Sequence, residues 1–442
     1  MWTGLVVMAV VSGPGRAAER GVEVRRAVAL TVRLGEPVVR DAAGMGGSPE
    51  REGSADGDRD DLPEATTAEG EDEPDGVAAE VGPTDLRTSK RVGLWLESGV
   101  LYDDNIFLNA SDPEADLLWR VGAEVRLNFG DVVDRDETYL VARYRPDAYF
   151  FLENPEEDTL DHEAELLIRR KFARLAIDGS GRYQRTSGST VELGDRVERD
   201  VASARGGLTY AVGAKTSLAS SVRWDGTAYR EGGYSDYREW AHESFIDYQA
   251  TEKFRLGLGG GYGRLEVDDG SEAQDFQRAL ARFSHDATGT LTLSGRVGAE
   301  FRQTEVGDTT TPVFGLDATH ALTAKTQGRL QAVREVAASG SLEGQNYTRT
   351  GLVMGVTHRV NDRVSLSVDG GWERYDYEAA TRAALTLDDR EDTTVFVRPG
   401  FSYSFGDRWR AEAWYQWRSN DSSAQDQTYE VKQMGLNMRF TF

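Results

Sequence analysis

The sequence predicts an all-β fold: a single transmembrane antiparallel up-and-down β-barrel of about 18 strands over residues 91–442, preceded by a disordered acidic N-terminal segment. Three observations support this prediction. Runs of about ten residues alternate between apolar and polar side chains, tight polar turns recur at a nearly constant interval, and the last strand ends on Phe442. Alternating segments separated by turn residues are typical of strands that cross a membrane.

Composition narrows the possible classes of protein. The chain has 442 residues and no Cys, which excludes a disulfide framework, a thiol nucleophile and a Cys-ligated metal. The mean hydropathy of -0.53 and the lack of a long apolar run exclude a helical membrane protein. A membrane β-barrel remains possible despite the low mean hydropathy, because only alternate residues of a barrel strand face lipid. The net charge of -24 predicts no nucleic-acid partner, since binding to phosphates needs a basic surface.

The N-terminal 90 residues divide into three parts. Residues 1–17 are predicted to be a signal peptide, with Leu5 to Val11 as its apolar core and Gly15-Arg16-Ala17 as a small-x-small cleavage site. No basic residue precedes the core, so an ordinary apolar N-terminus is the alternative. Residues 18–40 stay unassigned. Residues 41–90 hold 15 Asp and Glu against 4 Lys and Arg and almost no aromatic residue, which predicts a disordered acidic linker rather than a cation-binding segment.

From residue 91 onward the alternation has the period of a β-strand. In 119–129, Trp119 and every second residue to Phe129 form an apolar face, and Arg120, Glu124 and Arg126 lie on the other. The segments 291–302, 395–405 and 409–418 alternate in the same way. These runs are longer than the strands of an ordinary sandwich, so they predict strands of membrane-spanning length.

The turns set the predicted architecture. Eight tight polar turns lie between Gly130 and Arg408, about 39 residues apart, and nine longer polar connections, one of them at 303–311, separate them. Eight turns and nine loops join eighteen strands and place both chain ends on the short-turn side. A soluble propeller has a similar period but needs four strands in each blade, and each interval here holds two.

The last strand carries a pattern that resembles the C-terminal signal recognised by the barrel-assembly machinery of bacteria. Its apolar residues alternate with polar ones up to the terminus, and they are Met434, Leu436, Met438, Phe440 and Phe442. A soluble edge strand could end in this way by chance. With the alternating strands, however, the pattern predicts the outer membrane of a Gram-negative bacterium, with outer-membrane lipid and the barrel-assembly machinery as partners.

The faces opposite the apolar stripes carry charges of both signs. The predicted lumen-lining residues are Glu124, Arg126, Arg223, Arg296, Glu300, Arg302, Arg398, Arg410, Glu412 and Arg439. One interpretation is a set of charged ladders that tune the selectivity for solutes. The simpler alternative is that a wide barrel has a polar interior because it is filled with water.

No motif for catalysis, cofactor binding or metal binding emerges, so none of these residue classes is assigned and the protein is predicted not to be an enzyme. The five histidines lie on separate hairpins without metal-ligand spacing, and no GxSxG motif occurs. The glycine cluster in 257–263 continues into an alternating strand instead of opening a helix, which favours close backbone approach or a bend over a phosphate loop. The sequence does not exclude an active site that is built from residues on separate strands.

A short motif at the end of the first strand suggests a family. It consists of Tyr102, Asp103, Asp104, Asn105, Ile106 and Phe107, and a turn explains its acceptor side chains better than Ca²⁺ ligation does. With Asp116-Leu117-Leu118, the hexapeptide resembles the opening hairpin of the putative beta-barrel porin 2 family. The resemblance implies a barrel over residues 91–442, and it implies a link to polysaccharide because some members are associated with capsule or exopolysaccharide gene clusters. The acidic leader departs from the family's usual pattern.

These observations lead to three hypotheses of function. The first is a monomeric outer-membrane channel, without a cofactor, for hydrophilic solutes or for polysaccharide export. The second is a structural or surface-binding barrel that is plugged by its loops or its N-terminal segment. The third is an outer-membrane enzyme with a site at the outer rim. Because function does not follow from fold, the interior of the barrel has to distinguish them.

Overall fold

A computed structural model describes residues 91–130, 138–190, 193, 196–230, 232–268, 272–304, 307–340, 346–377, 381–382, 385–386 and 390–442. The predicted signal peptide 1–17, the unassigned segment 18–40 and the acidic linker 41–90 lie outside the described residues. No helix in the described part is long and apolar enough to cross a membrane.

Eighteen long strands form one sheet. Each has 12 to 17 residues, more than the 9–11 that a tilted strand needs to cross a bilayer, so the ends extend beyond the apolar layer. The strands are β1 (Val92–Asp103), β2 (Asp116–Gly130), β3 (Tyr139–Phe151), β4 (Thr159–Lys171), β5 (Leu175–Thr186), β6 (Arg199–Ala211), β7 (Thr216–Tyr229), β8 (Tyr237–Thr251), β9 (Phe254–Val267), β10 (Gln274–Thr288), β11 (Leu291–Thr304), β12 (Gly307–Thr323), β13 (Thr326–Ala338), β14 (Asn346–Arg359), β15 (Val364–Tyr377), β18 (Arg390–Phe405), β19 (Trp409–Ser422) and β20 (Tyr429–Thr441). Between β15 and β18, β16 (Thr381–Arg382) and β17 (Leu385–Thr386) form a separate small hairpin.

The sheet closes on itself. Every long strand pairs antiparallel with the next one along the chain, and β20 pairs antiparallel with β1 from Trp95 opposite Thr441 to Asp103 opposite Gln433. The prediction of an all-β, up-and-down barrel is therefore confirmed, and the number of strands is eighteen. Closure leaves no unpaired edge, which a membrane-spanning sheet requires because lipid offers no hydrogen bonds.

Short and long connections lie at opposite rims, as predicted. β1 begins and β20 ends at the short-turn rim, where Phe442 donates its backbone N–H to the Leu94 carbonyl. At the same rim, Gly406 opens the β18–β19 turn with a φ of 64°, a conformation that glycine adopts without strain.

The prediction of a long connection at 303–311 is wrong. β11 continues to Thr304 and β12 begins at Gly307, and residues 309–311 pair with residues 300–302 in the ladder. The Thr-rich segment 309–311 is polar, and polarity predicts a loop. Threonine is β-branched, however, and extends a strand readily.

The outer surface has the pattern of a membrane barrel. Alternate residues of each strand expose Leu, Val, Ile and Met at mid-height, for example Val125, Val222, Leu258 and Val297. Exposed aromatic residues border this apolar band at both rims: Phe129, Tyr210, Tyr248 and Trp409 near the short turns, and Trp119, Trp224, Trp240 and Tyr262 towards the long loops. An apolar belt between two aromatic girdles matches the lipid-facing surface of outer-membrane barrels.

Candidate functional site inside the barrel

All ten predicted lumen-lining residues lie on the inner face, because their neighbours along each strand are the exposed apolar residues of the outer face. They do not form one site. Arg223, Arg296, Glu300 and Arg302 belong to one region of the wall, formed by β7 to β11. The rest lie in a second region, formed by β18 to β20 and by β1 to β3.

The first region centres on a buried triad. The Glu300 carboxylate accepts a hydrogen bond from Nε of Arg278 and another from Nε of Arg302, both at 2.8 Å. The side chain of Glu300 is 0% exposed and that of Arg302 is 2% exposed. Both guanidinium groups reach further, since Arg278 lies 3.3 Å from a Glu243 oxygen and Arg302 lies 3.6 Å from a Glu239 oxygen. Ion pairs therefore link β8, β10 and β11 into one network on the inner wall.

A row of glycines on β9 lets these ion pairs cross that strand. Gly257, Gly259, Gly261 and Gly263 point inward, since Leu256, Leu258 and Tyr262 between them are exposed on the outer face. A methyl group on any of the four would collide with a side chain or a backbone atom from β8 or β10. Because these four inward positions of β9 carry no side chains, Arg282 reaches Asp247 and Arg278 reaches Glu243 across the strand. The prediction of close approach at 257–263 is confirmed.

The second region is organised around Glu97 on β1. Its carboxylate pairs with Arg120 at 3.3 Å, with Arg439 at 3.2 Å and with Arg145 at 4.0 Å. Arg120 and Arg145 also pair with Asp147, at 2.7 and 2.8 Å. The inner wall is thus nearly balanced in charge here, and it offers guanidinium donors beside carboxylate acceptors.

Five more predicted lumen residues extend this region. Arg410 pairs with Glu412 at 2.8 Å. The guanidinium of Arg398 lies 4.2 Å from the centre of the Trp414 ring, and that of Arg126 lies 5.7 Å from the centre of the Trp95 ring, which are distances of cation–π contacts. Glu124 lies opposite Trp95 in the β1–β2 ladder.

The outer half of the barrel is narrowed by contacts between parts of the wall that are not neighbours in the sheet. The Ser235 N–H, in the β7–β8 connection, donates to the Gly340 carbonyl, after β13, at 2.9 Å. The Asn346 amide, at the start of β14, donates to the Gln274 side-chain oxygen on β10 at 2.6 Å. Three strands, β11 to β13, lie between β10 and β14 along the wall, which places the two four strand spacings of about 4.8 Å apart. These bonds therefore cross the interior instead of following the sheet.

Beside these bridges lies a cavity of about 120 Å³ inside the barrel. Strands β5 to β9 form one side of it and β13 and β14 form the other. Its lining mixes charged, aromatic and aliphatic residues, and includes Arg199, Arg223, Tyr229, Glu239, Glu335 and Tyr347. This cavity is the part of the described structure in which charged groups from opposite walls come together around open space.

The family-like hexapeptide has a structural position at the outer rim. Tyr102 faces outward, Ile106 packs against Leu118 and Phe151, and Phe107 packs beside them. The polar residues hold β1 to β20. Asp103 accepts from the Gln433 amide at 2.8 Å, Asp104 accepts from the Lys432 N–H at 2.6 Å, and Asn105 donates to the Glu430 carbonyl at 3.3 Å. The motif therefore fastens the seam where the first strand meets the last.

Asp116, which opens the second strand, fixes the neighbouring loop. Its carboxylate accepts hydrogen bonds from the backbone N–H groups of Leu117, Leu152, Glu153 and Asn154, at 2.6 to 3.1 Å. Within the described ranges, no group of three His, Asp or Glu is arranged to hold a metal ion. In the hexapeptide, the Asp103 carboxylate also accepts the Asn105 N–H at 2.9 Å, a hydrogen bond of a turn, beside the bonds that join the motif to β20.

The five residues of the C-terminal pattern lie on the lipid-facing side of β20. Met434, Leu436, Met438 and Phe442 are exposed. Phe440 is half-buried, with its ring 4.6 Å from that of Trp409 and 4.8 Å from that of Phe442. They form an apolar strip at the seam, and their recognition by the barrel-assembly machinery stays a prediction.

Sequence reasoning missed several residues of the inner network, above all Glu97, Arg278, Glu335 and Arg199, and it placed Arg120 on the polar face without naming it as a lumen residue. Alternation along each strand could have placed them on the inner face, since each alternates with outward-facing residues of its own strand. The contacts across the interior leave no such signal, because they join strands that are distant both in the sequence and around the wall.

Comparison with known proteins supports the class that the fold defines. Residues 279–442 match the model of the putative beta-barrel porin 2 family. The resemblance predicted from the sequence is confirmed over that part, which runs from within β10 to the end of β20 and does not include the hexapeptide at Tyr102. The chain is an eighteen-stranded β-barrel of the bacterial outer membrane.

Several solved structures are similar to the chain. The siderophore receptor PirA from Pseudomonas aeruginosa is 8% identical, with 80% of this chain and 81% of that chain covered and a TM-score of 0.39. The outer membrane protein opdK from Pseudomonas aeruginosa is 11% identical, with 79% and 99% covered and a TM-score of 0.41. The copper transporter OprC is 11% identical, with 76% and 62% covered and a TM-score of 0.41. Among curated proteins, no significant match was found.

Proposed function

We propose that the protein is an outer-membrane channel that passes small hydrophilic solutes through a narrowed interior lined with ion pairs. The observation that carries the proposal is the contrast between the two faces of the eighteen strands. The outer face is apolar, and the inner face carries ionised side chains in two regions of the wall. A barrel of this strand number encloses an aqueous path unless loops fill it.

The chemistry of the wall favours solutes with many hydroxyl groups. Guanidinium groups donate hydrogen bonds and carboxylates accept them, and the inner-face pairs Arg120–Asp147 and Arg410–Glu412 present both kinds of group side by side. A hydroxyl both donates and accepts, so it can exchange water for either partner at low cost. Pairs of opposite charge also create no strong electrostatic field of one sign, so the wall is poorly suited to selecting cations over anions or the reverse.

Export of a polysaccharide is the more specific form of this proposal. Two observations support it. The chain resembles the putative beta-barrel porin 2 family, some members of which are associated with capsule or exopolysaccharide genes, and the inner wall offers hydrogen-bond donors and acceptors for hydroxyl groups. The bridges near Gly340 and Asn346 narrow the outer half, so a chain would pass one sugar residue at a time. Loss of secreted polysaccharide on deletion of the gene, and its return with the wild-type gene, is the result that this form expects.

Liposome swelling tests the channel itself. Vesicles that contain the purified protein are diluted into iso-osmotic solutions of neutral sugars of increasing size. We expect swelling with monosaccharides, slower swelling with disaccharides and none with large oligosaccharides. Folded protein in the vesicles with no swelling in any sugar would overturn the proposal.

A plugged structural barrel is the second candidate, and the bonds that cross the interior favour it. The bridges Ser235–Gly340 and Gln274–Asn346 would then close the path. The variant Gln274→Ala with Asn346→Ala removes one bridge. Swelling in this variant but not in the wild type would support the plug, whereas swelling in both supports the channel. Absence of enzymatic activity, the monomeric state and the partners stay predictions.

A further inference from the structure

Arg199 differs from the other charged groups around the inner cavity. It begins β6, points inward, lines the cavity and is 4% exposed. Its one hydrogen bond among the described residues runs from Nη1 to the backbone carbonyl of Gly188, at 3.2 Å. Across the ranges that the structure describes, no carboxylate lies within ion-pair distance of its guanidinium.

The carboxylates of the cavity wall are already held by other arginines. Glu239 pairs with Arg223 at 2.8 Å, and Glu335 lies 3.6 Å from Arg349. A neutral carbonyl does not balance the charge of Arg199, and a buried ion without a counter-ion costs several kcal/mol. The other charged residues of the cavity lining, Arg223, Asp225, Glu239 and Glu335, all have an ion-pair partner, which makes Arg199 the candidate for ligand binding in this cavity.

Size and polarity define what the cavity can hold. A cavity of about 150 Å³ admits benzene, so one of about 120 Å³ accommodates part of a six-membered ring and its substituents, with the rest of the ring in the open interior of the barrel. Near Arg199 its lining offers the amide of Gln184 and the hydroxyls of Thr186 and Thr227, together with the rings of Tyr237 and Tyr347 and several aliphatic side chains. Amides, hydroxyls and aromatic faces are the groups that bind a sugar ring.

We infer that this cavity is a subsite for a sugar ring that carries a carboxylate, with Arg199 as the residue that selects the carboxylate. The inference deepens the proposed channel function and rests on it. A guanidinium binds a carboxylate through two parallel hydrogen bonds, which gives both attraction and orientation. The ring hydroxyls then meet the uncharged groups of the lining, and the carboxylates of Glu239 and Glu335 stay with their own arginines.

Saturation-transfer NMR of the full-length protein in detergent tests the subsite without any need for transport. The probe is D-glucuronate, and D-glucose is the control because it has the same ring without the carboxylate. We expect saturable binding of glucuronate and at least tenfold weaker binding of glucose, because a hydrogen bond to a charged group contributes about 1.5–3 kcal/mol and 1.4 kcal/mol is tenfold. Inorganic phosphate at equal ionic strength is the competitor.

Two substitutions test whether the preference for glucuronate depends on Arg199. Arg199→Gln is expected to weaken glucuronate binding at least tenfold and to leave glucose binding unchanged. Arg185→Gln is the matched control, since Arg185 lies on the adjacent strand but pairs with Asp200 and Tyr183 on the outer face. It is expected to bind glucuronate as the wild type does.

Three results would overturn the inference: equal binding of glucose and glucuronate, complete displacement by phosphate at a similar concentration, and unchanged binding in Arg199→Gln. Arg199→Lys keeps the charge but loses the two parallel hydrogen bonds, so its affinity for glucuronate is expected to lie between those of the wild type and Arg199→Gln. Binding that depends on Arg199 in a barrel that does not conduct would refute the channel alone. A conducting barrel that does not bind glucuronate would refute the subsite alone.

Discussion

The buried triad of Arg278, Glu300 and Arg302 gives the sharpest test of the inner network. Glu300→Gln keeps the shape of the side chain and removes its charge. Breaking a buried ion pair from one side costs about 3–5 kcal/mol. Here Arg278 keeps Glu243 and Arg302 keeps Glu239 as more distant partners, so we expect a loss of about 2–3 kcal/mol in the free energy of unfolding.

The matched control is Glu266→Gln, the same change on the same side of the barrel. Glu266 pairs with Arg238 at 2.8 Å, but the two side chains are 40% and 68% exposed. An exposed pair contributes about 0–1 kcal/mol, so this variant should unfold almost as the wild type does.

The assay is urea unfolding of each variant in lipid vesicles, followed by tryptophan fluorescence. A difference of about 2 kcal/mol between the two variants agrees with a network buried in the wall. If Glu300→Gln and Glu266→Gln unfold within about 0.5 kcal/mol of each other, the inner network is solvated and the account of the narrowed interior is refuted.

Three further predictions follow from the wall, the rim and the seam. Gly259→Val should lower barrel stability by about 1–3 kcal/mol in urea unfolding, because its side chain would collide with the Ser244 carbonyl and the Phe245 ring, whereas Gly206→Val, with open space around it, should not. Asp116→Ala should speed amide hydrogen exchange at residues 152–154, which lose their common acceptor; unchanged exchange there would contradict its role. Removal of Phe442 should reduce the amount of folded barrel in the outer membrane, measured against total protein, and equal amounts would remove the terminal aromatic residue from the assembly signal.

Much of the fold could be predicted because a membrane barrel repeats one simple rule. The alternation in 119–129 and 409–418 identifies the lipid-facing side, and one-sided short turns fix the number of strands. The error at 303–311 arose where a polar Thr-rich segment continues the ladder, since polarity alone does not separate a loop from the part of a strand that projects beyond the membrane.

The arrangement of the interior could not be predicted in the same way. Alternation placed Glu300 and Arg302 on the inner face, but it gave no sign that both would meet Arg278 from the next strand. The glycines of 257–263 suggested close approach without showing which side chains cross them. The contacts near Gly340 and Asn346 join strands that are not adjacent in the sheet. Contacts between residues so far apart in the sequence leave no periodic pattern from which they could be predicted.

Electrical recording from single molecules in a planar bilayer tests the central claim most directly, because it asks whether the polar interior is a continuous path. The account predicts discrete conductance steps from the wild-type protein, with weak selectivity between cations and anions because the inner wall is balanced in charge. It further predicts larger steps when Gln274→Ala and Asn346→Ala remove one bridge across the interior. Folded, inserted protein that shows no steps, in the wild type and in the bridge variant alike, would contradict the claim that this barrel is a channel.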